Sequence, residues 1–90
     1  MTIDFGWTVP TGNARTPAGG ADAYLPHLHH IIETIQGDFH SLWIPDHFMH
    51  DQANVPEALT TLSFLAGITT DLFLGNIVLG QNYRNPALLA

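Results

Sequence analysis

Asp46 and His47 stand side by side directly after an apolar run, Leu42-Trp43-Ile44, that Pro45 closes. A histidine so placed can take or give a proton near neutral pH. The adjacent aspartate can hold a polar group of a ligand or raise the basicity of the imidazole. The alternative is that both are ordinary hydrogen-bonded loop residues. The other histidines invite a metal test. His27, His29 and His30 splay around a helix, because paired ligands on one helical face need a spacing of about four. His40 falls inside a predicted strand, away from its C-terminal end. His47, His50 and Asp51 make a conceivable partial ligand set, but no Glu-x-x-His pattern supports it. We therefore expect solvated or packed histidines and no metal.

Composition narrows the partners. The chain has 90 residues with 46% hydrophobic and 11% charged side chains, a net charge of -6, and two basic residues, Arg15 and Arg84. Soluble domains run to about 25% charged residues. Nucleic acid is excluded, since neutralising phosphates needs clustered lysine or arginine. An anionic membrane surface is excluded on the same ground. The absence of cysteine rules out a disulfide framework and a thiolate zinc site. No basic leader segment opens the chain, and Thr60, Thr61, Thr69, Thr70 and Asp71 interrupt the longest apolar stretch, 59–79. These features lead us to expect an unprocessed cytoplasmic protein.

The elements that must carry these residues read as three strand-helix units. Ile3, Phe5, Trp7 and Val9 alternate with the period of a strand, which Pro10 ends. A loop rich in proline, glycine and threonine follows. Leu25, Leu28, Ile31, Ile32 and Ile35 then recur at helical spacing, with Asp22 as N-cap, Pro26 in the first turn and Gly37 as the left-handed stop. The second strand covers 39–44 and is apolar enough to be buried on both faces. A helix beginning at Pro56, preceded by Asn54 or Val55, carries the stripe Leu59, Leu62, Leu65 and Ala66. Glu57 in its first turn suits the helix dipole. The third strand lies within 72–80, and Asn85-Pro86 start one last helical turn.

Alternating strands and helices with apolar strands indicate a parallel α/β sheet. The strands begin at Ile3, Phe39 and Leu72, near the roughly 31 residues per unit of a (β/α)8 barrel. No Gly-x-Gly-x-x-Gly follows the first strand, and no phosphate-cradling Gly-x-x-x-x-Gly-Lys occurs. Three units leave two unpaired sheet edges and one uncovered face. The fold expected is thus the N-terminal three β-α units of a truncated (β/α)8 TIM barrel, with 1–90 as one fragment of a larger domain. In such a barrel, catalytic groups gather past the strands' C-terminal ends, here 7–10, 45–50 and 76–81. Gly75 and Gly80 imply a bulge, a barrel bend or close backbone approach. Trp7 and Trp43 are expected in the core. Tyr83-Arg84 could receive an anion or simply lie on the surface.

Taken in order, these segments resemble a known family. Trp43-Ile44-Pro45-Asp46-His47, Ile68-Thr69-Thr70-Asp71, 74–79 and 83–90 resemble the bacterial luciferase-like flavin- and deazaflavin-dependent oxidoreductases over 5–90. The resemblance implies a (β/α)8 barrel holding FMN or an 8-hydroxy-5-deazaflavin coenzyme at the strands' C-terminal ends, and a small-molecule substrate. It implies His47 as acid/base and Asp46 beside the cofactor. It implies a non-proline cis peptide from Ile77 to Val78 behind the flavin ring. Gly80 stands where some members carry a hydroxyl residue that touches the cofactor. The family's phosphate-binding strands come later than residue 90. The resemblance implies monooxygenase, reductase or dehydrogenase activity, a possible homodimer at full length, and a piece that is inactive alone. The other readings are a small non-catalytic α/β module, a binding subunit that depends on a partner, and a histidine-dependent metal protein.

Overall fold

A computed structural model describes residues 1–10, 21–48 and 55–90. Three strands, β1 (Gly6–Thr8), β2 (Ser41–Ile44) and β3 (Phe73–Asn76), form one parallel sheet in the order β1-β2-β3. Helices α1 (Ala21–Ile35) and α2 (Ala58–Ile68) connect them, and a 3-10 turn, Gln81–Tyr83, leads into the short α3 (Pro86–Leu89). The chain is therefore a small α/β fold with a parallel sheet. Ser41 and Trp43 pair with Gly6 and Thr8 on one side and with Phe73 and Gly75 on the other.

The core lies between the sheet and the two long helices. Leu42 and Ile44 point into it with Val9, against Tyr24, Leu28, Ile31, Ile32 and Ile35 of α1 and Ala58 and Leu65 of α2. Apolar area removed from water on this face stabilises the fold at about 25 cal/mol per Å². The opposite face carries no helix among the described residues. Ser41 and Trp43 sit there half-buried, and Phe73 is exposed. The strands expected to be buried on both faces are covered on one. Trp43 is not a core residue either. Its indole spans the sheet: a methyl group at Gly6 would meet Nε1 at 2.8 Å, and one at Gly75 would meet Cζ3 at 2.6 Å. Both neighbours must lack a side chain for the ring to lie there. Nε1 donates to Ser41 Oγ at 2.9 Å. Trp7 lies on the helix side at the sheet edge, edge-on to Phe39 at 5.5 Å, and is partly exposed.

Several local expectations shift. The first strand is shorter than the alternation from Ile3 suggests, because Ile3 and Phe5 lie before the paired residues and are exposed. Asp22 and Pro26 both lie within α1, Asp22 in its first turn and Pro26 beyond it. Proline lacks the N–H that would bond the carbonyl four residues back, so α1 gives up one bond of its ladder there. Tyr24, not Leu25, joins the buried stripe. Gly37 takes φ +97°, and the Asp38 and Phe39 amides donate to the Ile35 carbonyl, so the expected left-handed stop is present. The N-cap of α2 is Glu57, one residue past Pro56. Its buried face runs through Ala58, Thr61 and Leu65, while Ala66 is exposed. Thr61 can be buried because its hydroxyl donates to the Glu57 carbonyl at 2.8 Å. The third strand ends at Asn76, and the Ile77–Val78 peptide bond is cis. Asn85 caps α3 through Ala87 N–H at 2.9 Å, with Pro86 at its first position, as the sequence indicates.

Candidate functional site

The register that pairs Ile44 with Asn76 brings the segments after β2 and β3 alongside one another. Pro45 ends β2, and the backbone turns away with Asp46 at the strand's C-terminal edge. Past β3 the 3-10 turn returns the chain, so that Gly80, Tyr83 and Arg84 all face Asp46. Arg84 forks onto its carboxylate, Nε to Oδ2 at 2.9 Å and Nη2 to Oδ1 at 2.6 Å. The Gly80 amide donates to Oδ2 at 2.8 Å, and the Tyr83 hydroxyl donates to the Asp46 carbonyl at 2.8 Å. Arg84 Nη2 also reaches Glu57 Oε1 at 2.6 Å. Glu57 in turn caps α2, its carboxylate accepting from the Leu59 and Thr60 amides. One arginine therefore ties the end of β2, the turn after β3 and the N-cap of α2 together.

This network fixes the charges. Asp46 has 3% of its side chain exposed, a burial that would be costly for an unpaired carboxylate. The Arg84 guanidinium holds its carboxyl below the usual range. Burial opposes that shift, and the Gly80 amide reinforces it. For Glu57, burial pushes the carboxyl up, but hydrogen bonds from Thr60, Arg84 and Leu59 outweigh it and bring the group to about 2. The two carboxylates push the Arg84 guanidinium upward. Burial, with the Asp46 contact, raises the Tyr83 phenol.

An open cleft of about 280 Å³ lies over the network, lined by Asp46, His47, Phe48, Val55, Glu57, Tyr83 and Arg84. The Phe48 and Tyr83 rings stand 5.4 Å apart, and the Arg84 guanidinium lies 5.7 Å from the Tyr83 ring centre. His47 is exposed at the rim. Asp46 and Gly80 are brought together, but with each other: their polar groups are taken up by Arg84 and by their mutual bond. The space that a side chain at Gly80 would need is filled by the Tyr83 ring and hydroxyl. Ile77 and Val78 lie past the end of β3, both exposed and outside the cleft lining. Among the described residues the end of β1, Val9 and Pro10, supplies no lining residue. Among the described residues no group of three histidine, aspartate or glutamate side chains could hold a metal. His50 and Asp51 of the partial ligand set lie outside the described residues, as does Asn54. His29 packs edge-on against Phe64 at 5.4 Å, and His40 stacks on Phe73 at 4.8 Å just before β2. Among the described residues no helix is long and apolar enough to cross a membrane.

The sequence reading missed the Arg84–Asp46 fork and the double role of Glu57. A usable signal was present. Arg84 is one of two basic residues among eight acids, and it follows a strand expected to lie parallel to the one that ends just before Asp46. No family model, no curated protein and no solved structure matches this chain.

Proposed function

We propose that the chain is the N-terminal part of a luciferase-like (β/α)8 oxidoreductase that takes FMN or an 8-hydroxy-5-deazaflavin coenzyme together with a small-molecule substrate. The observation that carries this reading is the cleft at the C-terminal edge of β2 and β3, with His47 at its rim beside the Asp46–Arg84 fork. Ligands of parallel α/β sheets bind at this edge. The uncovered face and unpaired edges of the sheet favour further strands, since parallel sheets are covered on both faces.

The residues fit a flat cofactor ring in part. Ile77 and Val78 present exposed apolar surface at the strand end, suited to lie against a ring and keep water from it. Asp46, which the resemblance sets beside the cofactor, has a structural task as well. Its carboxylate is engaged by three N–H groups, so it holds the 80–84 turn in place. When bound, a flavin-type ring supplies hydride or oxygen chemistry. The chain's own contribution is His47, whose imidazole takes or gives the proton, on a loop whose neighbour Asp46 is fixed by the fork.

The test is a titration of FMN, and separately of the deazaflavin coenzyme, into protein made from its complete reading frame, followed by absorbance. Saturable binding of one of them is expected. Binding of neither overturns the reading and favours the non-catalytic module. In the active enzyme, His47→Ala is expected to lower kcat by about 10²-fold or more. An unchanged kcat removes His47 from the acid/base role.

A further inference from the structure

The cleft's charge says what kind of group it can receive. Among the described residues Arg84 is the one arginine or lysine in its lining, and Nε and Nη2 are already given to Asp46 and Glu57. An arginine so committed is a poor receptor for an anion, because two carboxylates already balance its charge and would repel an incoming phosphate or carboxylate. Among the described lining residues, counting histidine as neutral, two carboxylates against one guanidinium leave one net negative charge. That charge is reachable at Glu57, whose side chain is 49% exposed, and hardly at Asp46, at 3%. Beside it stand the Phe48 and Tyr83 rings. Aromatic faces attract cations, and Tyr83 already has the Arg84 guanidinium 5.7 Å from its ring centre. A volume of about 280 Å³ gives room for one ring-sized group.

We propose that this cleft selects a small organic cation, an ammonium or amidinium group carried on a ring, and that Glu57 is the residue that selects it. The inference rests on the proposed function only in identifying that cation with the substrate. The charge selection itself needs no cofactor.

Three isosteric probes test it: benzylammonium, benzyl alcohol and benzoate, titrated at low salt and pH 8. Binding is read from amide shifts of Leu59, Thr60 and Gly80 in two-dimensional NMR spectra. Benzylammonium is expected to bind about fivefold tighter than benzyl alcohol, as a part-exposed charge pair allows, and benzoate most weakly. Glu57→Gln keeps an oxygen for the α2 cap and removes the charge, so it should abolish the preference for the cation over the alcohol. Should that variant fail to fold, raising the salt to 1 M serves instead. It shortens the screening length to about 3 Å and should erase the same preference in the unaltered protein. Benzoate binding as tightly as benzylammonium overturns the proposal. So does a cation preference that survives both changes, or the absence of any shift with all three probes. The cofactor titration keeps the two readings apart. Cation preference without cofactor binding defeats the proposed function alone, and cofactor binding with benzoate preferred defeats this inference alone.

Discussion

The two ends of this sheet carry similar residues and hold them differently. At the N-terminal end, Asp4, Asp38 and His40 line a cavity of about 210 Å³ with Phe5 and Phe39. At the C-terminal end, Asp46, His47 and Glu57 line one of about 280 Å³. By residue type the two look alike. Among the described residues, Asp4 and Asp38 enter no ion pair, and the local ties there are backbone bonds such as His40 N–H to the Phe5 carbonyl at 2.8 Å. Asp46 and Glu57 share a guanidinium and accept backbone amides as well. An aspartate near a histidine marks a candidate site only when other elements fix it, and here the fixing residue comes from the next strand-helix unit.

The strongest way to break the contrast is Arg84→Met. It removes the fork and leaves the Asp46 carboxylate buried without its counter-charge. Loss of one partner leaves the other without its counter-charge, so urea denaturation should show the largest fall in unfolding free energy of the changes considered. Arg84→Lys keeps the charge but cannot fork, and an intermediate loss is expected. A loss for Arg84→Met no larger than that of an exposed surface substitution would put Asp46 on the same footing as Asp38, and the contrast between the ends would fail.

The same network sets an acid limit. Asp46 and Glu57 both titrate lower in the folded chain than in the unfolded one, so the unfolded chain takes up protons first as the pH falls. Their contribution is fully present above about pH 5. It is lost as the pH drops below the ordinary Glu value of 4.5 and through the folded value of about 2. Arg84→Met removes the chief cause of the Asp46 shift. Its acid unfolding, followed by circular dichroism, should therefore begin at higher pH than that of the unaltered protein. Coincident acid transitions would mean that the fork adds nothing to the pH response.

Much of this arrangement was legible in the sequence because it follows local rules. Strand-helix alternation gave the parallel sheet, Gly37 gave the end of α1, and Asn85-Pro86 gave the start of α3. What stayed hidden depends on contacts across the sheet. Glu57 reads as a first-turn acid, but its capping role and its hold on Arg84 require the turn after β3 to be near. Trp43 reads as a core residue from its apolar neighbours. Its lying across the open face depends on Gly6 and Gly75, which register alone brings beside it. Asp46 was singled out for chemistry by its neighbour His47, yet its oxygens are spent on Gly80 and Arg84.

Helix α2 joins the two ends, so a change in its last turn asks whether they are independent. Gly67 lies there on the exposed side, with nothing within 4 Å of where a Cβ would stand. Gly67→Ala is expected to stabilise the protein by about 0.4–1 kcal/mol through the unfolded chain's lost freedom. The Gly80 and Thr60 amide shifts should stay in place. Movement of those signals would show that the network at Glu57 senses the far end of its helix.

The smallest effect is the most direct check on the contrast. Asp38→Asn replaces an exposed carboxylate by its near-isostere in the N-terminal cavity, next to the Gly37 turn. No buried charge loses a partner and no cap is removed, so the change in unfolding free energy should fall within about 0.5 kcal/mol. Asp46→Asn, measured in parallel, replaces the carboxylate that Arg84 grips and should cost several times more, because a neutral amide cannot balance the guanidinium and turns N–H donors toward it. Equal costs at 38 and 46 would show that position at the C-terminal edge, and not the arginine, had been taken as the mark of a site. A large difference assigns the distinction between the two ends to Arg84, the residue that supplies the counter-charge at one end and has no equivalent among the described residues at the other.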